Sequence, residues 1–188
     1  MTDFYTVMFN GENLYEYKMI EQEVIKVEGF MKELIDVCND LEIPRGKSFD
    51  GSPYMGRLKD DYDFVIKYKE DIGYFVLDGE RGKFYLREGF PTKDRNEAKL
   101  FILESEFFNG GLEYELGIRN TLKEEWINKY SVEYDSRNKA FEYTIRMLIK
   151  VFESVPDRII IYYTNYMNKW FDTPHWYFDK SELSFKEL

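Results

Sequence analysis

The side chains that could carry out catalysis are few in this chain of 188 residues. His175 is the single histidine and Cys38 the single cysteine, so a Ser-His-Asp or Cys-His arrangement would have to use His175. Its position between Pro174 and Trp176 indicates a packing or surface role instead. A zinc site would need mostly carboxylates, which is unusual for that ion, and no phosphate-binding or calcium-binding pattern is present. We therefore predict neither enzyme activity, nor a cofactor, nor a metal.

Pairs of neighbouring carboxylates are the remaining candidates for acid–base chemistry. Two acids that cleave a bond must approach the substrate from opposite sides of a cleft, which neighbours in sequence seldom do. We expect these pairs to lie on the solvated surface. Catalysis is our third hypothesis, after the two non-catalytic functions given below. A deep pocket with converging carboxylates would support it. The pairs are Asp60 with Asp61, Glu113 with Glu115, and Glu124 with Glu125.

Charge and composition restrict the partners of the protein. The formal net charge is −10, from 26 basic and 36 acidic residues, and such a surface repels nucleic-acid phosphates and attracts basic proteins. Aromatic residues make up 19% of the chain, with 16 tyrosines, and tyrosine suits both cores and recognition surfaces. We predict a protein partner and no nucleic acid.

The sequence indicates a cytoplasmic address. The first 20 residues contain no basic stretch followed by an apolar one, and no run approaches 18 apolar residues. A single cysteine cannot form an internal disulfide. The prediction is a cytoplasmic protein with no membrane partner.

Residues 73–82 read GYFVLDGERG and form the clearest local signal in the chain. Strand-like residues are followed by two glycines, which supply the positive φ that tight hairpin turns require. The runs at 62–68 and 83–88 are also strand-like. Together they predict a three-stranded antiparallel meander, with Glu80 and Arg81 at the tip of its second hairpin.

Helical periodicity dominates much of the remaining chain. Apolar residues recur at steps of three and four from Ile20 to Cys38, which predicts an N-terminal helix over 16–39 that ends before Pro44. Residues 109–111, Asn-Gly-Gly, either end a helix or let another backbone approach closely. Three further helices are predicted, at 92–108, 112–130 and 136–152.

The C-terminal part is rich in aromatic residues. Residues 158–163, RIIIYY, are β-branched and aromatic, which favours a strand. A turn at Thr173-Pro174 separates two aromatic pieces, and the last ten residues read as a polar tail. The predicted fold is a single α+β domain over 1–188, ending in C-terminal strands, with 158–188 as an aromatic extension packed on it.

Two short motifs occur in order along the chain: Gly-Tyr followed by Glu-Arg-Gly, and Tyr-Glu-Leu followed by an arginine. They consist of Gly73, Tyr74, Glu80, Arg81 and Gly82, and of Tyr114, Glu115, Leu116 and Arg119. In this order and spacing, with an acidic and aromatic helix between them, the motifs resemble the bacterial immunity protein 63 family. The resemblance covers roughly residues 20–150.

The resemblance implies a protein that protects a bacterium from a polymorphic toxin. Members of that family are thought to bind the toxin domain without chemistry and without a cofactor. The implied partner is a cognate toxin, which the acidic surface predicts to be basic. The implied partner-binding or motif residues are Tyr74, Glu80, Arg81, Tyr114, Glu115 and Arg119.

The roles of these residues are open between two interpretations. In one, Glu80 and Arg81 pair with each other or with the acid and arginine of the second motif, and the hydroxyls of Tyr74 and Tyr114 close that network. In the other, Glu80, Arg81 and neighbouring acids face the toxin. A different class of function is also open: a structural or adaptor protein whose aromatic C-terminal segment forms a homo-oligomer or holds a peptide.

Overall fold

A computed structural model describes residues 7–43, 64–80, 83–129, 137–169 and 171–188. These residues form an α+β structure, as the sequence predicts. The chain divides into two compact units, Met1–Asp40 with Arg45–Ile102 and Leu41–Pro44 with Leu103–Leu188. The single domain over 1–188 stays a prediction. Within the described residues, no helix is both long and apolar enough to cross a membrane.

The described part of the first unit contains a short hairpin, the helix α1 and a three-stranded antiparallel sheet. These elements are β1 (Met8–Phe9), β2 (Glu12–Asn13), α1 (Glu21–Asp40), β3 (Phe64–Lys69), β4 (Gly73–Glu80) and β5 (Lys83–Leu86). The sheet order is β3-β4-β5, and Leu77 of β4 lies opposite Val65 on one side and Leu86 on the other. The predicted meander is confirmed. Residues 74–77 are all buried, so both faces of the central strand are covered.

Helix α1 begins at Glu21 rather than at residue 16. The Glu23 carboxylate reaches back and accepts a hydrogen bond from the Ile20 N–H at 3.0 Å, which satisfies a donor ahead of the first turn. Ile20 is exposed, so its assignment to the buried stripe is wrong. The part of the stripe from Val27 to Cys38 is buried, and α1 packs on β3.

Helix α2 runs without a break from Arg95 to Lys129, where the sequence predicts two helices. Of the two roles open for Asn109-Gly110-Gly111, close approach of another backbone is the correct one. A Cβ atom on Gly111 would lie 2.6 Å from the carbonyl oxygen of Ala140 in α3 (Arg137–Phe152). Glycine therefore admits the α3 backbone, and this packing outweighs the roughly 1 kcal/mol that a glycine costs inside a helix.

Residues 158–163 belong to helix α4 (Asp157–Asn168), so the predicted strand is wrong. A strand would bury Ile161 together with Ile159 and Tyr163, because alternate residues share a face. Ile161 is instead exposed, while Ile159, Tyr163 and Met167 are buried at steps of four. The β-branched composition favours a strand locally, but burial of this helical face decides the outcome.

The last two elements of the chain, β6 (Trp176–Asp179) and β7 (Ser184–Glu187), form an antiparallel hairpin in the second unit. C-terminal strands are thus confirmed, and the predicted polar tail is wrong because Phe185 is buried. The Glu142 carboxylate in α3 accepts a hydrogen bond from the Phe185 N–H at 2.9 Å, a link across 43 residues. Asn168 Oδ1 accepts hydrogen bonds from the N–H groups of His175 and Trp176 at 2.7 and 2.8 Å.

Candidate functional site

Gly73 and Tyr74 of the first motif lie in the core of the first unit. Tyr74 is 5% exposed, and its ring centroid lies 4.5 Å from that of Phe30 and 4.9 Å from that of Tyr68. Its backbone exchanges two hydrogen bonds with Thr92, of 2.8 and 2.9 Å. Gly73 has a φ of +91°, and a Cβ atom there would lie 2.2 Å from the Thr92 carbonyl oxygen. This pair of residues therefore holds the sheet to the segment that precedes α2.

The hydroxyl of Tyr74 belongs to a hydrogen-bond network with three charged residues. Arg95 Nη1 donates a hydrogen bond to this hydroxyl at 3.1 Å, and Arg95 Nη2 donates to a carboxylate oxygen of Glu33 at 2.7 Å. Lys99 Nζ donates to the other Glu33 oxygen at 2.8 Å. Hydrogen bonds from Lys99 and Arg95 lower the pKa of Glu33. The network joins α1, β4 and the first turn of α2, which is a structural role.

The polar tip of the first motif is partly described. The strand β4 extends through Gly79, which pairs with Phe84, to Glu80, which pairs with Lys83. Gly79 and Glu80 are thus strand residues, where the sequence predicts that the turn begins. Arg81 and Gly82 lie outside the described residues. The roles predicted for Glu80 and Arg81 stay predictions.

The second motif lies in α2 with an inverted pattern of exposure. Glu115 is completely buried, whereas its neighbours Tyr114 and Leu116 are 47% and 58% exposed. The Glu115 carboxylate accepts two hydrogen bonds from the Arg119 guanidinium, at 2.9 Å from Nε and 2.7 Å from Nη2. The Tyr114 ring stacks on that of Tyr143 in α3, with 5.6 Å between centroids. An ordinary amphipathic helix buries its apolar residues and exposes its acids.

A continuous patch connects the two exposed apolar side chains. In a helix of about 3.6 residues per turn, Glu113 and Gly117 lie between Tyr114 and Leu116 on the solvent side. Both are exposed, and a Cβ atom on Gly117 would have no other atom within 4 Å. We call Glu113, Tyr114, Leu116 and Gly117 the α2 surface.

The acid–base candidates that the structure describes are Glu113, Glu115 and Glu124, all in α2. Glu113 is exposed and Glu115 is buried against Arg119, so the expectation of a solvated pair is wrong for Glu115. Glu124 is exposed. The pair Asp60-Asp61 lies outside the described residues.

His175 packs within the C-terminal part of the second unit. Its ring stacks on Phe171 with 4.4 Å between centroids, and its Nε2 atom lies 3.3 Å from a carboxylate oxygen of Glu187. This position fits the packing role expected from the sequence. Among the residues that the structure describes, no group of three or more His, Cys, Asp or Glu could hold a metal ion.

Sequence reasoning missed a second exposed face, on the outer side of α4. Ile161 and Tyr162 are 56% and 62% exposed there. The exposed positions follow helical spacing, so a helical reading of RIIIYY would have found them. We call this face the α4 stripe; it comprises Arg158, Ile161, Tyr162, Asn165 and Lys169.

The two motifs thus lie in different environments, one in the core around Tyr74 and one at the α2 surface. A functional interpretation can draw on the exposed faces of α2 and α4. Comparisons with protein-family models, curated proteins and solved structures gave no match to this chain.

Proposed function

We propose that this protein is a non-catalytic immunity protein that binds and neutralises a cognate bacterial toxin domain. The observation that carries the proposal is the inverted exposure of Tyr114-Glu115-Leu116. Burying a carboxylate while leaving a tyrosine and a leucine in water costs free energy in the isolated protein. A partner that covers the two apolar side chains offsets that cost, as exposed apolar patches at protein interfaces do.

Tyr114 has the properties of an interface anchor. Tyrosine is enriched among the residues that dominate binding energy, and the stacking of Tyr114 on Tyr143 restricts its ring before any partner arrives. Such restriction reduces the entropy that is lost on binding. The buried Glu115 carboxylate pairs with the half-exposed Arg119 one turn further along α2, and this pair stabilises the helical turn that carries Tyr114.

The charge of the protein supports a basic partner. Glu113 belongs to the α2 surface, and the chain carries a formal net charge of −10. Such a surface accelerates association with a cationic toxin face, and salt screens this attraction. The order of the two motifs, which resembles that of the immunity protein 63 family, supports the same class of partner.

Co-expression of the full chain with the toxin domain encoded beside its gene tests the proposal. Bacteria that make both proteins are expected to survive, and those that make the toxin alone are expected to die. The double substitution Tyr114→Ala with Leu116→Asp is expected to weaken the complex by about 100-fold or more, because both apolar contacts are lost. Binding of the purified pair is measured by calorimetry.

Tyr177→Ala provides the matched control. Tyr177 is 40% exposed and lies on β6 of the same unit, outside the α2 surface, so its loss is expected to leave toxin binding unchanged. If cells that make the toxin together with the unaltered chain die, the proposed function is contradicted. Full protection by the Tyr114/Leu116 variant would contradict the assignment of the α2 surface.

A further inference from the structure

The tripeptide Phe-Asn-Gly occurs twice in the chain, at residues 9–11 and at residues 108–110. The first copy lies at the tip of the hairpin of β1 and β2, and the second lies inside helix α2. In an Asn-Gly dipeptide the glycine nitrogen can attack the asparagine side chain readily, because glycine has no Cβ to hinder the approach. The chain therefore places one reactive sequence in two different backbones.

The first copy forms the turn of its hairpin. Phe9 lies opposite Glu12, and Asn10 and Gly11 between them have φ angles of +49° and +84°, as a type I′ turn requires. The hydrogen bond of such a turn joins Phe9 and Glu12, so it does not use the N–H of Gly11. Both turn residues are exposed. The attacking nitrogen thus belongs to an exposed residue and is not held by the ladder of the hairpin.

The tip of this hairpin is held less firmly than its base. At the base, Val7 and Leu14 are buried, and the Leu14 N–H donates a hydrogen bond to the Val7 carbonyl at 2.9 Å. Above the base, β1 and β2 have two residues each, and the half-exposed Glu12 pairs with Lys69 of β3, a weak kind of contact. Opening of the tip alone can therefore bring the two reacting atoms together without unfolding the unit.

The second copy is held by its helix. Asn109 is exposed, as Asn10 is, so access to the side chain does not distinguish the two copies. Gly110 is buried in the interior of α2, where each backbone N–H donates to the carbonyl four residues earlier. The next residue, Gly111, packs against the backbone of Ala140 in α3. Rotation of this segment would break both the helix and its packing.

We propose that Asn10 is a self-modification site, at which the chain converts asparagine to aspartate and isoaspartate with water as the only co-reactant. The Gly11 nitrogen gives up its proton to base and attacks Cγ of Asn10. A bond forms between these two atoms, the bond from Cγ to Nδ2 breaks, and Nδ2 takes up a proton and leaves as ammonia. Water then opens the cyclic imide at either of its carbonyls, which yields the two products.

The products change both the charge and the length of the turn. Each adds a negative charge two residues from Glu12, which pairs with Lys69. Isoaspartate also carries the backbone through its side chain, so the turn gains one methylene group, and turn length sets the pairing register of a hairpin. The site lies in the first unit and the α2 surface in the second. This modification goes beyond the proposed toxin binding, and its test needs no toxin.

Incubation of the purified full chain at mildly alkaline pH, in water enriched in the heavy oxygen isotope, tests the proposal. Each converted asparagine takes one oxygen atom from the solvent, and mass spectrometry of the digested chain locates it. Asn10 is expected to convert at least about tenfold faster than Asn109, because opening the tip costs less than breaking the helix. In concentrated urea the two rates are expected to agree within about twofold, since both copies then lack fixed structure.

Two matched variants assign the signal to its residue. Asn10→Gln is expected to abolish the fast conversion, and Asn109→Gln is expected to leave it unchanged. Circular dichroism verifies that the incubated chain and both variants stay folded. Equal rates at the two sites of the folded chain would overturn the proposal, as would an Asn10 that reacts in urea only. A preference for Asn10 that persists in urea would also overturn it, because the hairpin would then not be the cause.

Discussion

Tyr74 and Tyr114 come from the two motifs of the chain and occupy opposite environments. Tyr74 is buried in the central strand of the first unit, where its hydroxyl accepts a hydrogen bond from Arg95. Tyr114 is about half exposed on α2 and stacks on Tyr143. Two motifs that each combine a tyrosine, a glutamate and an arginine can therefore differ in role. One organises a sheet, and the other presents a surface.

Glu33, which Arg95 links to Tyr74, and Glu115, the neighbour of Tyr114, show a related contrast. Glu33, which accepts hydrogen bonds from Arg95 and Lys99, is partly exposed. Glu115 is fully buried, with a single turn of helix separating it from Arg119. The carboxylate linked to Tyr74 is thus partly open to solvent, whereas the carboxylate beside Tyr114 is buried and pairs with an arginine that is 49% exposed. Substitutions at glycines and acids can test this difference.

Substitutions at Gly73 of the first motif and at Gly117 of the α2 surface should show the largest difference in stability. Gly73→Ala is expected to destabilise the protein by about 3 kcal/mol or more, because alanine is strained at positive φ and its Cβ would collide with the Thr92 carbonyl. Gly117→Ala is expected to be neutral or to stabilise by up to about 1 kcal/mol, since the added methyl meets open space and alanine favours helix. Denaturant unfolding followed by circular dichroism measures both; equal losses would contradict the contrast.

An intermediate effect on stability is expected at Glu115 of the second motif. Glu115→Gln removes the charge of a fully buried carboxylate and weakens both hydrogen bonds from Arg119. We expect a loss of about 1–3 kcal/mol in the free energy of unfolding. The control Glu113→Gln, on the exposed side of the same turn, is expected to change it by less than about 0.5 kcal/mol. A cost for Glu113→Gln as large as that for Glu115→Gln would show that burial does not distinguish them.

The smallest effect concerns the pH dependence of the first unit. The pKa of Glu33 is lowered by hydrogen bonds from Lys99 and Arg95, so the charged form stabilises the fold above the unfolded-state pKa. That contribution is lost as the pH falls through the lower, folded-state pKa. Because the side chain is 37% exposed, solvent screening limits the effect to about 0.5–1 kcal/mol.

Unfolding of the wild type and of Glu33→Gln at pH values between about 6 and 3 measures this term. The advantage of the wild type is expected to shrink towards acid pH. Glu28→Gln, an exposed acid in the middle of the same helix, is the control and is expected to leave the pH profile of stability unchanged. A constant advantage across the range would show that Glu33 acts through packing rather than charge.

Local sequence patterns correctly predicted the elements whose buried residues recur with the period of the helix or strand that forms. The α1 stripe and the three-stranded meander both appear at nearly the predicted positions, because each shows one clear repeat of apolar residues. From the sequence, the Asn109-Gly110-Gly111 segment could either end a helix or admit another backbone. The close approach of Ala140 from another helix decided for the second role. The RIIIYY segment was wrongly predicted as a strand because its residues have high β propensity, whereas the ones that are buried follow helical spacing.

The sequence by itself determined the α+β class, the first helix, the meander and the scarcity of catalytic side chains, since these depend on composition and on short-range periodicity. Only the tertiary structure decided which residues of each motif are exposed. Glu115 is buried while Tyr114 is not, and Glu142 binds a strand 43 residues away. Such outcomes depend on which elements pack together, because burial and long-range hydrogen bonds outweigh the small local preferences of a segment.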